Sequence, residues 1–184
     1  FVFARGAEEA RALDAAGVEY EVVPGITSAI AAPAYAGIPV TKRYSSTSLT
    51  IVTGHEDPTK ATTDVEWEAL ARVGGTLVIL MGAANLAEIS RRLVAGGMDP
   101  STPAAAVRWG TRVDQHVTRS TLGSLHRHEL RSPSTIVIGE VAGERLDWFT
   151  RRPLFGRRVV VTRSSAQAGE LASLLAAHGA QVVE

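Results

Sequence analysis

Short β-branched runs alternate along this chain with Ala- and Leu-rich stretches of helical period, a pattern that predicts strands crossed over by helices in α/β layers. The first amphipathic stretch predicts a helix over 8–16, stopped by Gly17, and residues 18–23 then read as a strand. Pro24-Gly25 turns that strand into a second helix, capped by Thr27 or Ser28 and running to about residue 36, where Gly37-Ile38-Pro39 ends it. A strand over 49–53 leads into a polar exit loop with His55, Glu56 and Asp57. Next come a helix over 64–72 capped by Asp64, a buried strand over 76–81, and a helix over 86–95 closed by Gly96-Gly97. Strands are expected over 104–108, 115–119 and 134–140, with a helix over 121–129 between the last two. The periodicity lapses over 143–156, where Arg151-Arg152-Pro153 and Gly156 suggest a linker. Beyond it a fresh unit opens with a strand over 158–162, a helix over 165–178 followed by Gly179, and a second strand just beginning.

Composition narrows the class without naming a chemistry. The 184 residues carry 19 basic and 19 acidic side chains and are 45% hydrophobic, which is globular and argues against disorder. No uninterrupted run of about 18 apolar residues is present, so a membrane span is not expected. The absence of cysteine excludes disulfides, thiolate zinc sites and a cysteine nucleophile, and fits a cytoplasmic setting. Because it opens at Phe1 inside what reads as a folded segment, with no leader, and closes in an incipient strand, the chain reads as a fragment at both ends. Residues 108–163 hold eleven arginines and no lysine against five acidic residues, but no aromatic interleaving accompanies them, so a solvated face is favoured over a nucleic-acid surface.

Neither a three-glycine dinucleotide fingerprint nor a Gly-Lys-Ser/Thr phosphate loop occurs, which lowers the prospect of hydride transfer or nucleotide hydrolysis. His126 and His128 are two apart, a poor helical spacing for one metal ion, and no metal is expected. The corner Pro24-Gly25-Ile26-Thr27-Ser28 can present helix-start N–H groups and two hydroxyls to a polar ligand. Leu80-Met81-Gly82 and Arg108-Trp109-Gly110-Thr111 end two strands with residues that let a flat ligand approach the backbone. These three features are what strand exits lining one cleft would carry, while His55, at a further strand exit, reads first as part of a solvated loop and second as a catalytic candidate.

Taken together, Phe1-Val2-Phe3-Ala4-Arg5-Gly6-Ala7-Glu8-Glu9, Val22-Val23-Pro24-Gly25-Ile26-Thr27-Ser28-Ala29, Ala34-Tyr35-Ala36-Gly37-Ile38-Pro39-Val40-Thr41 and Val52-Thr53-Gly54-His55-Glu56 closely resemble the uroporphyrinogen-III C-methyltransferases, a branch of the tetrapyrrole methylases. Ala4 and Ala7 stand where that family usually has glycine, and Lys42 where histidine is common. The tail, Gly156-Arg157-Arg158-Val159-Val160-Val161-Thr162-Arg163 with Gln167-Ala168-Gly169-Glu170, resembles the opening of uroporphyrinogen-III synthase.

The resemblance implies an α/β tetrapyrrole methylase fold of two αβα subdomains around a cofactor cleft, incomplete here: residues 1–40 end the first subdomain and 41–142 form the second. A linker (143–156) and the first βαβ elements of a second α/β domain (157–184) follow. It further implies S-adenosyl-L-methionine as methyl donor, contacted by Val2, Thr27, Ser28, Met81, Ala105 and Gly110, and uroporphyrinogen III as substrate, met by Arg5, Lys42 and Arg43. Methylation at carbons 2 and 7 to precorrin-2, in a cytoplasmic homodimer on the route to siroheme or cobalamin, is the implied activity. The proton-transfer residues stay unassigned. Another tetrapyrrole or RNA methylase, and an inactive ligand-binding fragment, remain the alternatives.

Overall fold

The computed structural model describes residues 1–55, 63–162 and 165–183. Glu56 and Asp57 of the expected exit loop, and Arg163 of the tail motif, lie outside the described residues.

Five strands, β1 (Leu49–Thr53), β2 (Thr76–Leu80), β3 (Pro103–Arg108), β4 (His116–Thr121) and β5 (Ser134–Ile138), form one sheet in the order β1-β2-β5-β3-β4. Within this sheet only β1 and β2 of the described strands pair in parallel, while β2–β5, β5–β3 and β3–β4 are antiparallel, so the expected helical crossover holds for one pair of its five strands. The central strands are apolar at successive positions because both faces are covered. Leu77, Ile79, Ala104, Ala106, Ile136 and Ile138 face α3 (Trp67–Val73) and α4 (Leu86–Ala95). Val78, Ala105, Val107 and Val137, the alternate positions, pack on Ala29, Ala32 and Ala36 of the segment containing α2 (Ser28–Tyr35). Alanine on both sides of that second contact brings α2 close to the sheet.

Several local expectations change once neighbours are present. Residues 18–23 are not a strand: they are exposed and pair with nothing in the sheet, and a β-branched run holds an extended ladder only beside a partner. The preceding helix, α1 (Gly6–Ala15), ends as read, with Gly17 at φ 67° and the N–H of Val18 returning to the carbonyl of Leu13. Helix α3 begins at Trp67 with Glu66 as its cap, not at Asp64. The helix expected over 121–129 shrinks to a single 3-10 turn, Leu125–Arg127. There the N–H groups of Leu122 and Gly123 donate to the carbonyls of Thr102 and Pro100, which holds that stretch out of helical geometry.

Between α3 and α4 the guanidinium of Arg92 grips Glu68 with both forks, Nε to Oε1 at 2.8 Å and Nη2 to Oε2 at 2.7 Å. Hydrogen bonding from Arg92 holds the Glu68 carboxyl at about 2, below its ordinary 4.5. A carboxyl depressed in the folded state stabilises fully above the unfolded value and loses that contribution as pH falls from about 4.5 through about 2. Thermal melts between pH 5 and pH 2.5 are therefore expected to decline less steeply for Glu68→Gln than for the unsubstituted chain; parallel declines would show the pair to be energetically idle.

Residues 143–156, expected as a linker, run against α2. Trp148 and Phe149 meet the ring of Tyr35 edge-on at centroid distances of 4.9 and 4.7 Å, and Phe155 meets Phe149 at 5.3 Å. Beyond them β6 (Arg158–Val160), α5 (Ser165–Ala177) and β7 (Gln181–Val183) form a βαβ unit with its own two-stranded parallel sheet. The N–H of Leu154 donates to the carbonyl of His178 at 2.9 Å and ties this unit to the segment before it.

Candidate functional site

A cleft of about 690 Å³ opens where β1, β2 and β3 end and β5 begins. Its floor depends on two backbones crossing closely. The N–H of Gly54 donates to the carbonyl of Leu80 at 2.7 Å, and a Cβ on Gly54 would lie 2.4 Å from Cα of Gly82. Asn85 Nδ2 donates to the carbonyl of Gly54 at 2.8 Å and fixes the start of α4 against the same crossing. His55 and Met81 then stand at the rim, with Ala83 and Ala84 beside them.

The opposite wall is the loop after β3. A Cβ on Gly110 would come within 2.4 Å of Cβ of Ala32, so glycine lets this loop touch α2. Gln115, buried, clamps the contact: its Oε1 accepts from the N–H of Thr111 at 3.0 Å and its Nε2 donates to the carbonyl of Tyr35 at 3.1 Å. Arg112 lies 4.6 Å from the centroid of the Trp109 ring while bonded to Asp114 at 3.0 Å, so a charged fork is fixed at the rim. Hydrogen bonding from Arg112 holds the Asp114 carboxyl below its ordinary range.

Five non-glycine residues among those described have positive φ, and four of them line this cleft: Phe3 at 50°, Met81 at 57°, Trp109 at 52° and Thr111 at 74°. Each such backbone costs roughly 1–3 kcal/mol and persists only where its surroundings impose it. Their convergence on one cavity makes it the candidate functional site.

The expected ligand residues divide by placement. Val2, Ser28, Met81 and Gly110 line the cleft. Thr27 caps α2 from the adjoining position, its Oγ1 accepting from the N–H of Ala29 at 3.3 Å and its carbonyl from Ile30 and Ala31. Ala105, on β3, is fully buried against the α2 segment and is not among the residues lining the cleft. Arg5, at the start of α1, is exposed and outside the lining, as are the two turn residues Lys42, which is bonded to Glu144, and Arg43, which lies 6.0 Å from the Tyr44 ring centroid. Sequence reasoning reached Trp109 and Thr111 only as parts of the strand-end Arg108-Trp109-Gly110-Thr111 motif and missed Phe3 and Gln115 as site residues, since no local pattern reports that Gln115 bridges Thr111 and Tyr35.

The family model of the Tetrapyrrole (Corrin/Porphyrin) Methylases matches residues 1–126. The chain belongs to this family. Its mixed sheet and helical layers are the tetrapyrrole methylase fold: the uroporphyrin-III C-methyl transferase of Thermus thermophilus complexed with S-adenyl homocysteine superposes with a TM-score of 0.68 at 32% identity, over 78% of this chain and 60% of the other. Among curated relatives, the S-adenosyl-L-methionine-dependent uroporphyrinogen III methyltransferase of Methanosarcina barkeri is 50% identical over 145 residues, 77% of this tetrapyrrole methylase chain and 57% of its own length. The uroporphyrinogen-III C-methyltransferase of Bacillus subtilis is 41% identical over 188 residues, covering all of this chain and 39% of its own. This family member therefore spans between about two fifths and three fifths of the length of these two relatives.

Proposed function

We propose that this chain is the part of a methyltransferase that seats S-adenosyl-L-methionine in the cleft and methylates uroporphyrinogen III at carbons 2 and 7, giving precorrin-2. The observation that carries the reading is the cleft itself, where four strained residues and the Ser28 end of α2 converge. Its apolar wall of Met81, Ala83 and Ala84, with backbone N–H and C=O groups at the Trp109–Thr111 turn, suits a flat heteroaromatic ring, and the Thr27 and Ser28 hydroxyls suit a polar amino-acid tail. S-Adenosylmethionine carries a methyl already activated on a sulfonium, so the protein's part is alignment and exclusion of water, and no nucleophilic side chain is needed.

Uroporphyrinogen III carries eight carboxylates, which calls for cations at the mouth. Arg5 and Arg43 are exposed and form no ion pair with the described residues, whereas Lys42 already holds Glu144. The tail, with its separate sheet, is read as the opening of a uroporphyrinogen-III synthase unit, and the assembly as a cytoplasmic homodimer serving siroheme or cobalamin synthesis. The match to the Bacillus subtilis relative, which takes in all of this chain, supports a continuous arrangement of the two parts.

Transfer of labelled methyl from S-adenosylmethionine to uroporphyrinogen III tests the activity, and calorimetry with S-adenosylhomocysteine tests the site. Thr27→Val combined with Ser28→Ala is expected to weaken S-adenosylhomocysteine by about 1–3 kcal/mol, since ligand groups lose their partners. Unchanged affinity would remove the α2 corner from the site. Binding without turnover would make the chain a ligand-binding module.

A further inference from the structure

A second, smaller pocket of about 200 Å³ lies beside the cleft and takes no part in the reading above. It is built by strand register. Arg108 on β3 stands directly opposite His116 on β4 and Ser134 on β5, and directly opposed antiparallel residues share a face. Two positions inward the same face carries Ala106 beside Thr118 and Ile136, so a polar row crosses the sheet at the end of the apolar core. Glu129, Leu130 and Arg131 close the outer side, and Ser134 lines both this pocket and the cleft.

The charges in it are unequally matched. Glu129 bonds Arg131, and Ser134 Oγ donates to the carbonyl of Arg131 at 2.6 Å. Arg108 has no such partner among the described residues: its Nε is buried without a hydrogen-bond acceptor, and its contact is the Trp109 ring at 5.7 Å. Native proteins leave few buried polar groups in that state, and a guanidinium presents a planar fork matched to two oxygens. The hydroxyl of Thr118 and the ring of His116 add possible donors.

We propose that this pocket is an oxyanion site whose principal donor is Arg108. Two sources have the required chemistry: a carboxylate arm of a ring substrate reaching past Ser134, which rests on the proposed methylase function, or a free phosphate-like ion, which does not.

Two probes separate them in the whole chain. Inorganic phosphate is titrated while the Arg108 Nε–H resonance is followed, and uroporphyrin III, the oxidised eight-carboxylate ring, is titrated by tryptophan quenching, with S-adenosylhomocysteine as the control ligand. Arg108→Gln is expected to weaken one probe about tenfold or more, to leave S-adenosylhomocysteine within about twofold, and to be partly rescued by Arg108→Lys. Loss confined to phosphate assigns a free-ion site, and loss confined to uroporphyrin III assigns a substrate arm. An Arg108 resonance unmoved by either probe in the unsubstituted chain overturns the proposal even if the variant misfolds, and so does an equal loss of all three ligands, which would mark Arg108 as a support for the Trp109 loop. Should S-adenosylhomocysteine fail to bind the unsubstituted chain, the methylase reading falls while the phosphate result still decides the pocket.

Discussion

Gly110→Ala is expected to weaken S-adenosylhomocysteine binding by about 1–3 kcal/mol, or roughly 5- to 150-fold, without unfolding the chain. The added Cβ would lie 2.4 Å from Cβ and 2.8 Å from Cα of Ala32, and the second of these is backbone that cannot rotate away. Nor can the loop slide easily, because Gln115 holds Thr111 on one side and the carbonyl of Tyr35 on the other. Relief must come from moving α2 away from the sheet or turning the Trp109–Thr111 backbone, and either displaces a cleft wall. Calorimetry on the variant gives the loss directly. Adding Ala32→Gly should recover only part of it, because the Cα clash remains; unchanged affinity in the single variant would mean that the ligand does not use this wall.

Gly37→Ala is expected to lower the melting temperature by about 6–16 °C, from roughly 3–4 kcal/mol of lost stability in a chain of this size. Two costs combine. At φ 68° an alanine meets the left-handed penalty of roughly 1–2 kcal/mol. Its Cβ would also sit 2.4 Å from the carbonyl oxygen of Leu146, where the N–H of Leu146 now donates to the carbonyl of Gly37. Residues 146–149 must then lift, and with them the Trp148 and Phe149 rings from Tyr35 and the indole N–H from the carbonyl of Ala34. Scanning calorimetry measures the shift. A melt within a degree or two of the unsubstituted chain would show the 146–149 segment to be a loosely attached connection.

What was legible in the sequence was local. Helix α4 falls where its amphipathic stripe and Gly96-Gly97 put it, and β1 where its β-branched run does, because those signals need no distant partner. The convergence of Met81 and Gly110 could be read too, since strand exits at one end of a sheet share a neighbourhood. Residues 18–23 misled because extended structure needs a neighbouring strand, which periodicity does not report. Gln115 and Arg119 were invisible for a related reason. Arg119 looks like any charged strand residue, yet it is half-buried, donating at 2.8 Å to the carbonyls of both Ala36 and Ala142, and burial pushes its guanidinium below the ordinary value. Only the fold brings the ends of those two segments within its reach.

The strand that joins the sheet is the last of its five to leave the ribosome. β1 and β2 can meet across α3, and β3 and β4 across one short loop, but each pair remains a separate half until Ser134–Ile138 slots between β2 and β3. The cleft takes its floor from the first half and its opposite wall from the second. It is therefore a late product of synthesis: a nascent chain stalled before residue 134 would hold both sides of the cleft and no cleft, exposing the apolar flanks of two unfinished sheets until the closing strand arrives.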